Sequence, residues 1–309
     1  MRIILAAFET TAQRPVRRRN LLIRLHQPLP RRHVQRASLV SLLLFAAAFA
    51  WAFWVEPQRL VVTRTELALP GWPPQLAGLR VALLSDLHIG SPYWDLAALA
   101  RLVERTNAEK PDLVLLAGDY QINDVPGGVF VDAEPIAAGL SKLAAPLGVF
   151  AVLGNHDWRN DGERTRKAFA ANGVTVLEES SQRIELRGTS LYVVGLADQI
   201  TRHSAPQAVL AQIPPHAPTL LVVHEPDVFE SFPRLGVNPT LTLAGHTHGG
   251  QVWLPLLGRR MVPSRFGQRY AYGHVVENGR HLFVTSGIGT SILPVRFLVP
   301  PEISMLLLR

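Results

Sequence analysis

Five short apolar runs in this chain each stop at residues able to bind a cation, and this pattern constrains the fold more than any other. Arg80–Ser85 runs into Asp86-Leu87-His88, Leu113–Leu116 into Gly118-Asp119, and Val149–Leu153 into Gly154-Asn155-His156-Asp157. Leu220–Val223 runs into His224, and Leu241–Leu243 into Gly245-His246-Thr247-His248-Gly249-Gly250. Short apolar runs bounded by turn residues suit buried strands. In open α/β sheets, ligands bind beyond the carboxyl ends of the strands. One His after a strand is commonly a surface or capped residue, and one Gly-Asp a turn. Five such ends together would carry three carboxylates, one amide and five of the chain's eleven imidazoles to a single edge.

The intervening pattern agrees. Asp95–Asn107 places Leu96, Leu99, Leu102 and Val103 on one helical face, and Ile136–Leu143 and Glu163–Ala171 also read as helices. After residue 171 the pattern turns strand-rich, with further runs at Leu191–Val194, Val252–Leu254, Leu282–Thr285 and Ile303–Leu308. No internal repeat or low-complexity tract interrupts it. Alternating strands and helices followed by mostly strands predict a layered α/β sandwich. Pro70, Pro73 and Pro74 read as part of a linker over 56–78, with the folded domain at 79–309.

The amino-terminal segment is of another kind. Ala37 to Val55 is 19 residues without a charge, a helix of about 28 Å, close to the hydrocarbon thickness of a bilayer. Trp51 and Trp54 stand at its far end, where amphipathic rings favour the membrane interface. Residues 37–55 are therefore expected to be a single-pass anchor. Residues 1–36 hold nine Arg and one acid, Glu9, which predicts a basic cytoplasmic tail, an inner or plasma membrane location and an extracytoplasmic domain. Ala46–Ala48 and Ala48–Ala50 offer the small-residue pairs of a cleaved signal, but the apolar run continues past them to Val55. Arg17–Arg19 before Asn20-Leu21-Leu22 faintly suggests a twin-arginine signal, but the apolar run starts only after Pro28 and Pro30.

Charge and cysteine usage exclude whole classes. The formal net charge is +7, yet residues after 36 hold 22 basic and 23 acidic side chains. The basicity belongs to the tail, so no nucleic-acid partner is expected of the domain. With no cysteine, disulfide scaffolds, thiolate zinc sites and cysteine nucleophiles are ruled out. Imidazole nitrogen with carboxylate or amide oxygen suits Mn, Fe, Zn or similar divalent ions. So many ligands exceed the needs of one ion, and two ions sharing a carboxylate are expected.

The ordered set D-x-H, GD, GNHD, H and GHTH resembles the calcineurin-like metallophosphoesterase superfamily over roughly residues 79–309. HEPD at 224–227, GHTHGGQ at 245–251, GIGT at 287–290 and PPEI at 300–303 resemble its bacterial membrane-anchored branch. That branch is associated with phospholipids and with UDP-2,3-diacylglucosamine hydrolysis. The resemblance implies an α/β/β/α sandwich and a metal-dependent hydrolase of phosphoesters, in which a hydroxide between two metals attacks phosphorus. It implies Asp86, His88 and His248 on one ion, Asn155, His224 and His246 on the other, and Asp119 bridging. His156 would act on the leaving oxygen, with Asp157 fixing its tautomer. Where nuclease lineages carry His three residues after the GD aspartate, this chain has Ile122, which argues against a nuclease. The implied substrate is a lipid or lipid-linked phosphoester. UDP-2,3-diacylglucosamine is made in the cytoplasm, however, and the charge rule places the domain outside. Alternatives are a tethered phosphodiesterase or phosphatase of soluble substrates, and a non-catalytic scaffold.

Weaker signals remain. Residues 231–276 contain no acid but include Arg234, Arg259, Arg260, Arg265 and Arg269, some beside apolar Leu254–Leu257. Of these, Arg259, Arg260 and Arg265 are the candidate substrate-binding rim, for phosphate or anionic headgroups. A solvated basic loop is the plainer alternative. Gly287 and Gly289 are expected in a tight loop near the site. His26, His33, His203, His216, His274 and His281 match no motif.

Overall fold

A computed structural model describes residues 31–309 except His203. The arginine-rich segment 1–30, with Arg17–Arg19 and His26, and also His203, lie outside the described residues. Among the described residues the chain divides into two compact units, with the boundary between Ala47 and Ala48. Helix α1 (Arg31–Ala50) is extended by a wide turn at Trp51–Val55 and a tight one at Glu56–Gln58. The helical run Arg31–Gln58 has a mean hydropathy of 2.1 in its most apolar stretch and is long and apolar enough to cross a membrane.

The first half of the larger unit alternates strand and helix: β1 (Val61–Leu67), β2 (Leu79–Leu84), α2 (Leu96–Ala108), β3 (Leu113–Ala117), α3 (Ala133–Leu140), β4 (Val149–Val152), α4 (Asn155–Ala171) and β5 (Thr175–Val176). The Asp95 carboxylate accepts the Ala98 amide at 2.7 Å and so caps α2, whose Leu99, Leu102 and Val103 face the core. The second half is mostly strand: β6 (Ser180–Leu186), β7 (Thr189–Gly195), α5 (Pro206–Leu210), β8 (Thr219–Val222), α6 (Phe232–Leu235), β9 (Leu241–Ala244), β10 (Trp253–Leu254), β11 (Gly258–Arg259), β12 (Gly273–Glu277) and β13 (Arg280–Val284). The last strand, β14 (Glu302–Leu308), returns to the first half.

Two six-stranded sheets result, in the orders β1-β14-β2-β3-β4-β5 and β12-β13-β9-β8-β7-β6. Strands β2 to β5 are mutually parallel, as are β7, β8, β9 and β13, so their carboxyl ends lie at common edges. Leu83, Leu115 and Val152 of the first sheet meet Val193, Leu220 and Leu243 of the second in one apolar layer. Outside the first sheet, Leu99, Ile136 and Phe169 of α2, α3 and α4 pack on Leu84, Leu116 and Ile303. Outside the second, Val209, Phe229 and Phe232 cover Val194, Leu221 and Val284. This is the expected α/β/β/α sandwich.

The linker expected at 56–78 is corrected. Strand β1 pairs in parallel with β14 from Val61↔Glu302 to Leu67↔Leu308. Leu67, Leu69, Trp72 and Leu76 lie in the layer between the sheets. Glu56 and Pro57 are buried, and Trp94 donates its indole N–H to the Pro57 carbonyl at 2.9 Å. The prolines mark two turns between strands, not a tether. Strand β1 hid because Arg64 and Glu66 break its apolar run, as suits an edge strand. The helix expected from Glu163 likewise begins earlier, at Asn155, with a non-helical Asp161 inside it.

Leu67 therefore contributes core packing. Leu67→Ala should cost about 2–5 kcal/mol in chemical denaturation of the full chain. A change below about 0.5 kcal/mol, typical of exposed positions, would restore the linker.

Candidate metal centre

All five strand ends meet at one edge, and the backbone there is turned to aim side chains inward. Asp86, His88, Asp119, His246 and His248 adopt φ of 53°, 41°, 58°, 68° and 51°. This left-handed region is uncommon for residues with a side chain, and such conformations cluster at functional sites. Glycine makes the crowding possible. A Cβ on Gly118 (φ 94°) would lie 2.7 Å from the Gly154 amide nitrogen and from His224 Nδ1. One on Gly287 (φ 67°) would lie 2.8 Å from Asp86 Cβ, so the GIGT loop does close over the site as expected.

Asp119 occupies the centre. Its Oδ2 is 3.2 Å from His224 Nε2 and 3.7 Å from His88 Nε2, while its Oδ1 accepts the His156 amide at 2.9 Å. On one side, Asp86, His88 and His248 converge: His248 Nε2 is 3.4 Å from Asp86 Oδ1 and 3.1 Å from His88 Nε2. On the other, His246 Nδ1 is 3.2 Å from His224 Nε2. Asp86, His88 and His248 form one group able to hold a cation, and Asp119, His224 and His246 another. A third group, His88, Asp119 and His156, overlaps both. Asn155 is buried beside them, and its Oδ1 has no hydrogen-bond partner among the described residues.

The tautomers favour a cation. His88 Nδ1 lies 3.2 Å from the Gln121 carbonyl and His224 Nδ1 lies 2.7 Å from the Ala117 carbonyl. A carbonyl only accepts, so each Nδ1 carries a proton. The Nε2 of neutral His88 therefore presents a lone pair toward the Asp119 carboxylate, whereas the Nε2 of His224 carries a second proton and donates to it. At His88 a lone pair facing a carboxylate is repulsive without positive charge between them, and at His224 a bound cation would take the place of the proton.

The electrostatics agree. Burial pushes His88 and His246 down to about 3 and His248 well below the usual imidazole range, leaving neutral nitrogens. Burial lowers His156 as well. Burial would likewise depress His224, but the Asp119 charge and hydrogen bond raise it well above its usual range. Burial acts to raise Asp119, yet His224, His156 and His88 hold it well below a normal carboxylate. Burial, reinforced by Asp119, lifts Asp86 to about 6 and Asp157 to about 7. The pocket is thus overloaded with negative charge, which a divalent cation would relieve.

Asp157 is placed differently from expectation. Its Oδ2 accepts the amides of Asp119 and Gly154, both at 2.9 Å, and its Oδ1 those of Tyr120 at 2.8 Å and Gln121 at 3.3 Å. Both oxygens are committed to backbone, so the carboxylate does not fix the His156 tautomer. Instead it ties the loop after β3 to the start of α4. His156 Nδ1 has no partner among the described residues, and its ring stands edge-on to His88 with centroids 4.8 Å apart.

Of the three rim arginines, only Arg259 reaches the site, donating to the Gly249 carbonyl while its guanidinium lies 4.7 Å from the Tyr272 ring centre. Arg260 and Arg265 are exposed, and the recorded bond of Arg265 is from its backbone amide to Asp227. Arg269 is engaged by Glu230 and Glu277, so it adds no free charge to a rim.

Two features escaped the sequence reading. Arg296 is fully buried and donates to the carbonyls of Ser286, Gly289 and Val299, bracing the GIGT loop. Burial, joined by a hydrogen bond to the Asp198 carboxylate, raises Glu225 to about 8 next to His224. An isolated Arg gives no motif to read, and Glu225 reads only as part of HEPD, without a role.

Residues 79–250 match the family model for calcineurin-like phosphoesterases. The chain belongs to this family. It is a hydrolase of phosphoester bonds. It is 31% identical to the uncharacterized metallophosphoesterase YkuE of Bacillus subtilis, across 84% of this chain and 90% of that protein. Phosphodiesterase YaeI of Escherichia coli is 29% identical, across 84% and 93% respectively. UDP-2,3-diacylglucosamine pyrophosphatase LpxG of Chlamydia trachomatis is 25% identical, across 87% and 96%.

If Asp157 is a structural tie, Asp157→Ala should lower unfolding stability by about 3 kcal/mol or more, because buried amides lose their acceptors. Bound metal should fall with it. Unchanged stability with only a displaced pH–rate profile would return Asp157 to the role of tautomer control.

Proposed function

We propose a two-cation phosphoesterase in which Asp86, His88 and His248 hold one divalent ion, Asn155, His224 and His246 hold the other, and Asp119 serves both. The observation that carries this reading is the convergence of two imidazole nitrogens, Nε2 of His88 and Nε2 of His224, on one Asp119 oxygen. Mn, Fe and Zn all suit the donor set. When bound, the ions would supply Lewis acidity and a water of lowered pKa. The chain's own residues do the rest. The carbonyls of Gln121 and Ala117 hold the Nδ1–H of His88 and His224, so that Nε2 is the nitrogen each would offer to an ion. His156, part-exposed and outside both triads, is suited to place a ring N–H on the departing oxygen of the phosphoester and stabilise the charge that develops there. Arg259 lies beside the GHTHGG loop, within reach of a bound phosphate's surroundings.

His156→Ala should preserve bound metal while lowering kcat by roughly two to four orders of magnitude, more for poor leaving groups than for p-nitrophenol. Asp119→Asn should instead lose metal and activity together. If His156→Ala strips the metal, His156 is a ligand and this division of roles fails.

The substrate we infer is a lipid or lipid-linked phosphoester reached from the membrane. The apolar run Arg31–Gln58 supports a membrane anchor. Similarity to a protein named as a UDP-2,3-diacylglucosamine pyrophosphatase supports the chemical class. The arginine excess before residue 37 supports an extracytoplasmic domain. Protease added to intact spheroplasts should then digest the chain beyond Glu56. Full protection until lysis would put the domain in the cytoplasm.

A further inference from the structure

The edge of the site carries an unusual set of exposed apolar side chains. Trp253, Leu256 and Leu257 project from the β10–β11 hairpin, with Leu256 fully exposed. Ile292 and Leu298 project from the loop 291–298, at 68% and 45% exposure. These are not accidental turn residues. Leu256, Ile292 and Leu298 have φ of 71°, 66° and 55°, where Gly or Asn would sit more easily and a β-branched residue is a true outlier. The backbone is strained to present them, and nothing in the folded unit among the described residues covers them.

Hydrogen bonds join the hairpin and the loop into one surface. Trp253 donates its amide to the Phe297 carbonyl, and Phe297 donates to the Gln251 carbonyl, both at 2.9 Å. Gln251 follows the GHTHGG loop directly and bonds at both amide ends to the 291–298 loop, at Ser291 and Leu293. The Arg296 amide donates to the Ala52 carbonyl at 3.0 Å, beside exposed Trp54. The loop therefore lies against the residues at which the apolar amino-terminal run ends.

We propose that this rim is a second membrane contact, in which the β10–β11 hairpin and the 291–298 loop enter the bilayer interface and hold the mouth of the metal centre at headgroup depth. The proposal rests on the membrane-anchor reading above. Apolar tips flanked by cations suit an interface with anionic lipid, and exposed Arg260 and half-exposed Arg259 adjoin the hairpin tip. Direct continuity with the end of the apolar run favours lipid over a protein partner as the occupant.

The native chain has no cysteine, so single-cysteine probes are clean. Full-length Leu256→Cys and Ile292→Cys, each carrying an environment-sensitive fluorophore, would be reconstituted into vesicles of neutral and anionic phospholipid. Glu185→Cys, exposed near the β6–β7 turn at the opposite end of the strands, is the control. Nitroxide placed shallow in the bilayer should quench positions 256 and 292 several-fold more than 185. A Leu256→Asp/Leu257→Asp variant should retain hydrolysis of a soluble p-nitrophenyl ester and lose quenching at 292. Co-flotation of the protein with vesicles while 256 and 292 behave like 185 would overturn the rim and leave the anchor standing. Failure to co-float would overturn both. Quenching that appears only on raising protein concentration would assign the surface to a second copy of the chain. No substrate enters these readouts, so the lipid-substrate reading stands or falls separately.

Discussion

An unpaired carboxylate costs several kcal/mol to bury, and Asp119 is only 2% exposed. Its position is held by backbone rather than by a buried Lys or Arg. The His156 amide binds one of its oxygens, and Asp157 anchors its own amide together with those of Tyr120, Gln121 and Gly154. Through Asp157, the turns after β3 and β4 are locked to each other. His224 and His88 then approach the remaining Asp119 oxygen from two sides. The sandwich serves this arrangement by ending its parallel strands at one edge, and the glycines by letting the loops interleave. Positive charge is the one component the protein atoms do not supply in sufficient amount, which is why the arrangement reads as a site for cations.

Much of this was legible in the sequence because each candidate ligand directly follows a buried strand. A strand that is apolar throughout is recognisable alone, and its end fixes where the next polar side chain emerges. Residues Asp86, His88, Asp119, Asn155, His224, His246 and His248 were found that way, and the structure gathers them. What failed was whatever depends on a partner distant in sequence. Strand β1 reads as linker until β14 is set beside it, 241 residues away in register. Strand β6, SSQRIEL, is polar because only one face is covered. The role of Asp157 was misassigned because adjacency to His156 suggested a contact that the helical start of α4 prevents. Arg296 gave no signal at all, since its three acceptors are loop carbonyls.

The same reasoning changes the view of the basic loop. As a string, 231–276 is a run of Arg without acid. Folded, Arg269 is neutralised by Glu230 and Glu277, Arg259 is spent on the GHTHGG loop, and Arg260 and Arg265 point into solvent. The apolar residues between them are the more informative part. Loss of the supposed linker matters here too: the end of the apolar run packs onto the folded unit at Ala52, Glu56 and Pro57.

The central claim is that Asp119 is shared by two cation sites. Anomalous diffraction at the manganese edge, from crystals of the full chain grown with Mn, addresses it directly. The account predicts two peaks flanking the Asp119 carboxylate, about 3.5–4 Å apart. One should lie against Asp86, His88 and His248, the other against Asn155, His224 and His246. A single peak, or two peaks of which one does not touch Asp119, would contradict it.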